Sequence, residues 1–178
     1  TRPQLYYFLG RFSYMEGQYK RALLELKEAV RGMPHSVELH EILGKTYQAL
    51  DYSDEAELHF REALSMNPES DSTYHSLAAL LLNRGDVKNA ESILLRAVNV
   101  CSKKVPFYIR LAQIHEKTGW QEKQYEYLEK AIQFEPKQIE CLLRLAKLSL
   151  NAKKNHQAIE WTERAAKCQL TAYSDLYR

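Results

Sequence analysis

The sequence predicts an all-α solenoid of helix pairs, and three observations carry that prediction. Written in rows of 34 residues, the chain aligns without an insertion or deletion, and one column reads Leu9, Leu43, Leu77, Leu111, Leu145. A fixed period of this length decides the architecture before any local propensity does. Within each row, apolar residues recur three and four positions apart, the spacing of one helix face. Each row is also punctuated twice, in its middle by Gly17, Asp51, Gly85, Gly119 or Lys153, and at its end by Pro34, Pro68, Ser102, Pro136 or Leu170.

The elements follow in order. Row one, about 3–36, begins with a helix over Pro3–Glu16, crowded with Leu5, Tyr6, Tyr7, Phe8, Phe12 and Tyr14. Gly17 ends it, because glycine accepts the left-handed conformation that closes a helix. A second helix runs over Gln18–Arg31 until Pro34, which cannot continue a helix interior and biases the residue before it away from helical angles.

Row two, 37–70, places Leu39, Ile42, Leu43, Thr46 and Tyr47 on one face of a helix over Ser36–Ala49. A partner helix over Tyr52–Ser65 carries Ala56, Leu58, Phe60, Ala63 and Leu64. The link between them, Leu50-Asp51-Tyr52-Ser53, is long enough only for a tight turn. Row three, 71–104, repeats the pair as Ser70–Asn83 and Asp86–Asn99 around Gly85. Row four, 105–138, gives Lys104–Lys117 and Trp120–Gln133 around Gly119. Row five, 139–172, gives Gln138–Asn151 and Lys154–Lys167, and residues 173–178 are expected to start a sixth pair.

Two small-residue columns have a packing reason. Gly10, Gly44, Ala78, Ala112 and Ala146 form one; Ala22, Ala56, Ala90, Gln124 and Ala158 form the other. Small side chains there let two helix axes approach closely. Neither helix of a row can bury its apolar face alone, so stacked rows build one continuous core. The expected organisation is a single array across 1–178, cut from a longer solenoid.

Composition limits the function. The net charge of +2 is too small to attract polyanions in general, so neither nucleic acid nor an anionic membrane is an expected partner. No apolar run reaches the roughly 18–20 residues of a membrane span. Cys101, Cys141 and Cys168 are isolated, which predicts reduced thiols and a cytoplasmic setting, with the nucleus as the other compartment. The six His fall on different helices without metal-ligand spacing, and core packing is the expected fate of His40, His59 and His115. There is no phosphate-cradling glycine loop, nucleophile motif or paired carboxylate set. No enzyme activity, metal or cofactor is expected.

Row two reads His40-x-x-Leu43-Gly44-x-x-Tyr47, then Ala56-x-x-x-Phe60, then Ala63 and Pro68. That pattern resembles the tetratricopeptide repeat, with His in the usual Trp place. Row one matches it at Tyr6, Leu9, Gly10, Ala22, Leu26, Ala29 and Pro34, and the later rows keep its Leu and small columns more loosely. The resemblance implies a right-handed superhelix of antiparallel helix pairs, whose first helices line a concave groove holding a partner's peptide or helix.

Carried onto this sequence, the resemblance names candidate groove residues. One line is Arg11, Lys45, Ala79, Gln113 and Lys147; a second is Phe8, Ile42, Ser76, Arg110 and Arg144. Tyr7, Glu41, His75, Ile109 and Leu143 make a third, and Met15, Ala49, Asn83, Lys117 and Asn151 lie near its edge. Arg110, Lys117, Arg144 and Lys147 make the C-terminal half basic, suiting a partner with acidic residues, because a guanidinium donates two parallel bonds to a carboxylate. Asn83 and Asn151 can bond an extended backbone, while Glu116 and Glu140 lie near enough to offset part of the field.

Relatives that hold the acidic tails of heat-shock chaperones use Lys, Asn, Asn, Lys and Arg on three successive first helices. The three registers here supply Tyr7, Arg11, Ile42, Ser72, Ser76; or Glu41, Lys45, Ser76, Pro106, Arg110; or His75, Ala79, Arg110, Glu140, Arg144. None forms the clamp. The expected function is therefore a protein-interaction scaffold of another kind. The alternatives are an arm of a larger enzyme such as a glycosyltransferase, or an assembly subunit using lateral contacts. Ends without polar caps add an expectation of self-association.

Overall fold

In the computed structural model, residues 2–176 are described as backbone and residues 2–170 also as side chains. Among the described residues there are ten helices and no strand. They are α1 (Arg2–Met15), α2 (Tyr19–Gly32), α3 (Val37–Ala49), α4 (Ser53–Met66), α5 (Asp71–Asn83), α6 (Val87–Val100), α7 (Val105–Thr118), α8 (Gln121–Phe134), α9 (Ile139–Asn151) and α10 (Asn155–Leu176). Consecutive helices pair row by row, so the chain is an all-α solenoid of helix pairs. It divides into two compact units, Thr1–Cys101 and Ser102–Arg178.

Local chemistry explains the boundaries. Ser36, Ser70 and Asp86 cap α3, α5 and α6, accepting from the backbone N–H of Leu39, Thr73 and Asn89. These bonds satisfy donors that the first turn of a helix leaves without an internal partner. The mid-row turn is the same in all five rows. Gly17, Asp51, Gly85, Gly119 and Lys153 have φ between 58° and 78°. The next residue's N–H reaches back five residues, as in Gln18 to Ser13 and Lys154 to Ser149, at 2.9 and 2.8 Å. This is the Schellman closure, which requires a left-handed residue.

Two rows therefore hold a side chain where three hold glycine, and the strain is measurable. Gly119→Ala should destabilise the protein by roughly 1–2 kcal/mol, the cost of a Cβ in this conformation. Lys153→Gly should stabilise it by a smaller amount, because glycine's unfolded-state entropy opposes the relief. Denaturant midpoints would check both signs.

Each unit has its own core. In the first, Leu26, Leu39, Leu43, Phe60, Tyr74, Leu77 and Leu94 are fully buried. Leu111, Leu128, Leu142 and Leu145 are buried in the second, where the Trp161 indole of α10 donates to the Tyr125 hydroxyl of α8 at 3.2 Å. The small column does what its sequence implies: a Cβ at Gly10 would meet Leu26 at 2.6 Å, and one at Gly44 would meet the Phe60 ring at 2.6 Å.

One boundary differs from expectation. The register places a break before 173, yet α10 continues unbroken to Leu176. Leu170 stands where three rows have proline, and Lys167 to Thr171 contain no residue that stops a helix. Residues 177 and 178 of the expected sixth pair lie outside the described residues.

Candidate functional site

The candidate residues of the second unit lie on two first helices. Arg110, Gln113 and Lys117 belong to α7; Arg144, Lys147 and Asn151 belong to α9. The fold brings the α9 set to a pocket of about 150 Å³, shared with Glu116, Gly119, Gln121, Gln124 and Leu148. Gln124 explains part of its polarity. In the small-residue column it replaces alanine, and it is buried to 5% exposure.

Arg144 is held between two carboxylates. Its Nη1 donates to Glu116 of α7 at 3.1 Å, and its Nη2 forms an ion pair with Glu140 of α9 at 2.9 Å. The guanidinium fork is thus already engaged, and the positive field expected here is offset locally. Lys117, Lys147 and Asn151 are exposed, and Arg110 is half-buried with its Nη1 3.5 Å from Gln113 Oε1 on its own helix. Of these candidate cations, Lys117 and Lys147 are exposed, whereas Arg144 is the one held by two carboxylates.

The first unit spreads its candidates. Arg11 on α1 and Asn83 at the end of α5 are exposed, while Lys45 on α3 and His75 on α5 are half-buried. Around Lys45 the dominant charge is Glu41, one turn earlier on α3. Its Oε1 accepts from Ser70 Oγ at 2.6 Å, Ser72 Oγ at 3.0 Å and the Thr73 hydroxyl, all at the start of α5. Burial works against ionisation, but the three hydroxyls and then Lys45 outweigh it and hold the carboxyl below the usual glutamate range.

The structure also gathers a cluster that sequence spacing does not reveal. His40 of α3 and His59 and Glu62 of α4 converge, with one ligand-capable atom each within 4.8 Å of the others. His40 is buried, as expected, but it is not merely packed. His59 stacks on Tyr47 at 5.4 Å between centroids. Burial first, then His40 and Lys27, push the His59 imidazole below its ordinary value against the pull of Glu62.

Two of the three thiols are held protonated by burial. Burial foremost, with Asp71 beside it, pushes Cys101 up to about 12, and burial pushes Cys141 up to about 11. On α1, Leu5, Phe8 and Phe12 are exposed by 57%, 62% and 63%. This is the apolar crowding of the first helix that the sequence shows. No helix among the described residues is long and apolar enough to cross a membrane.

The tetratricopeptide repeat family matches at residues 37–70 and 105–138, the second and fourth rows. A BBSome complex member BBS4 homolog of Drosophila melanogaster is 24% identical over 165 residues, covering 86% of this chain and 34% of that protein. The human protein O-mannosyl-transferase TMTC1 is 29% identical over 134 residues, covering 75% of this chain and 14% of that protein. The chain thus spans about a third or less of the curated relatives it matches. Among solved structures, that of the MamA protein superposes with a TM-score of 0.76 at 19% identity, covering 97% of this chain and 94% of that one.

Proposed function

Because the chain belongs to the tetratricopeptide-repeat superfamily, we propose that it is a protein-interaction scaffold docking a partner's peptide or helix against its first helices. The α9 pocket carries this reading. Lys147 and Asn151 line it together with the buried Gln124 amide, and Arg144 is locked in place by Glu116 and Glu140. Such a pocket offers one mobile cation for a carboxylate and two amide groups for a backbone, with a rigid floor. Arg110 and Lys117 on α7 extend the cationic edge.

The experiment is comparative capture. Arg110→Glu with Lys147→Glu should weaken retention of the partner about tenfold or more, in line with the cost of like-charge contacts at an interface. The melting temperature should stay unchanged, since neither side chain supports the core. Equal capture by the variant and the parent chain would remove the groove assignment. Arg144→Glu is the wrong probe, because it would also break two ion pairs.

A second reading, an assembly subunit using lateral contacts, is favoured by the exposed α1 face of Leu5, Phe8 and Phe12. It agrees with a relative that is a BBSome complex member. The transferase among the relatives supports the further alternative of a repeat arm within a larger enzyme. Leu5→Asp with Phe12→Asp separates lateral from groove contacts, since neither residue lies on a groove line.

A further inference from the structure

Row two places three donor atoms in mutual contact. His40 Nδ1 lies 3.0 Å from His59 Nδ1 and 2.7 Å from Glu62 Oε2, and His59 Nδ1 lies 3.2 Å from the same oxygen. The other His40 nitrogen fixes the first of these. Its Nε2 is 3.0 Å from the carbonyl oxygen of Pro34. A carbonyl only accepts, so Nε2 carries the hydrogen, and in the neutral tautomer Nδ1 presents a lone pair inward.

While Glu62 is a carboxylate its oxygen only accepts, and so does a His40 nitrogen bearing a lone pair, so the 2.7 Å edge between them sets two lone pairs face to face. A proton on that edge relieves it, and so does a cation held by all three corners.

The dimensions are close to those a cation needs. Tetrahedral coordination with bonds of about 2.0–2.1 Å sets ligand atoms about 3.3 Å apart. The observed edges of 3.0, 2.7 and 3.2 Å are all shorter than this, so side-chain rotations would have to open the triangle to admit an ion. Two imidazole nitrogens and one carboxylate oxygen suit a borderline divalent ion. The Pro34 carbonyl supplies the outer bond that commonly orients a ligating histidine. Tyr47 stacks on the His59 ring and limits its rotation. Glu62 is 42% exposed, which leaves a solvent-facing side for entry and for a water as fourth ligand. Lys27 of α2, whose Nζ sits 5.7 Å from the Tyr47 ring centre, is a nearby charge that opposes a cation.

We propose that His40, His59 and Glu62 form a divalent transition-metal site of the zinc class that fastens α3 to α4. The site is closed by its row and needs no partner chain. It tightens the helix pair rather than performing chemistry, because one of its histidines is buried to 5% exposure.

The test titrates the whole 178-residue chain with Co²⁺ at neutral pH, then displaces the ion with Zn²⁺. The expected result is one equivalent bound, an intense visible band of tetrahedral cobalt that Zn²⁺ abolishes, and a higher melting temperature with metal. Glu62→Gln and His59→Gln should each weaken binding tenfold or more, while His156→Gln, exposed on α10, should leave it unchanged. Glu62 is half-exposed, so its variant decides the matter even if the His59 variant is poorly folded. Absence of the cobalt band, or equal affinity in the Glu62 variant, would overturn the proposal in favour of a proton shared among the three groups.

Discussion

Gly44→Ala is expected to destabilise the protein by roughly 1–3 kcal/mol, the usual cost of overpacking a filled core. A Cβ at this position would come within 2.6, 2.7 and 3.0 Å of three atoms of the Phe60 ring. Phe60 has no exposed surface and no free direction in which to turn, so relief would require α3 and α4 to separate. Gly44→Val should cost more still. The reverse change, Phe60→Ala, should cost about 3–5 kcal/mol by leaving a cavity. The informative variant is the pair Gly44→Ala with Phe60→Leu. Rows three and four carry Ala78 with Leu94 and Ala112 with Leu128 at the corresponding positions, so this pair rewrites row two in their terms. Part of the loss should return, giving a coupling of about 0.5–3 kcal/mol in a double-mutant cycle. Additive losses would mean that the two side chains do not share the contact.

The sequence makes the fold legible because every row repeats the same physical problem with the same answer. The five left-handed turn residues were visible as one column, including Asp51 and Lys153, where no glycine signals the turn. Most helix ends fall within a residue or so of their expected places because caps and turns punctuate them. The run of α10 past the register boundary had a local signal, the missing proline at Leu170, and period alone overrode it. The site was less legible. Arg144 and Glu116 are 28 residues apart, and His40 and His59 are 19 apart. Such pairs meet only through the rotational phase of one helix against the next, which hydrophobic spacing fixes to a face but not to an atom. His40 was readable as a packed histidine and is one. Its inward lone pair depends on the direction of the Pro34 carbonyl, a backbone property that residue types do not encode.

Glu41→Ala should cost roughly 1.5–3 kcal/mol, the range for hydrogen bonds to a charged group. The Glu41 carboxylate joins α3 to the first turn of α5 through Ser70, Ser72 and Thr73. Ser70 at the same time caps α5 by accepting from the Thr73 backbone. Losing the carboxylate therefore loosens a contact between rows and frees the hydroxyls that organise a helix start. The sign of the pH dependence follows from the lowered folded-state value. Below the ordinary glutamate value of about 4.3, the unfolded chain takes up the proton before the folded one does. The stabilisation is complete above that value and is lost as pH falls through the lower folded one. Glu41→Gln keeps an acceptor oxygen but has no charge to titrate, so it should retain part of the stability and lose this portion of the acid slope. Denaturant unfolding at pH 7, 5, 4 and 3 would separate the variants. Parallel profiles for Glu41→Gln and the parent chain would place the carboxylate outside the network. The same bonds bear on recognition. A lysine from a partner would have to compete with three hydroxyls and Lys45 for this oxygen, so Glu41 serves as a clasp between rows.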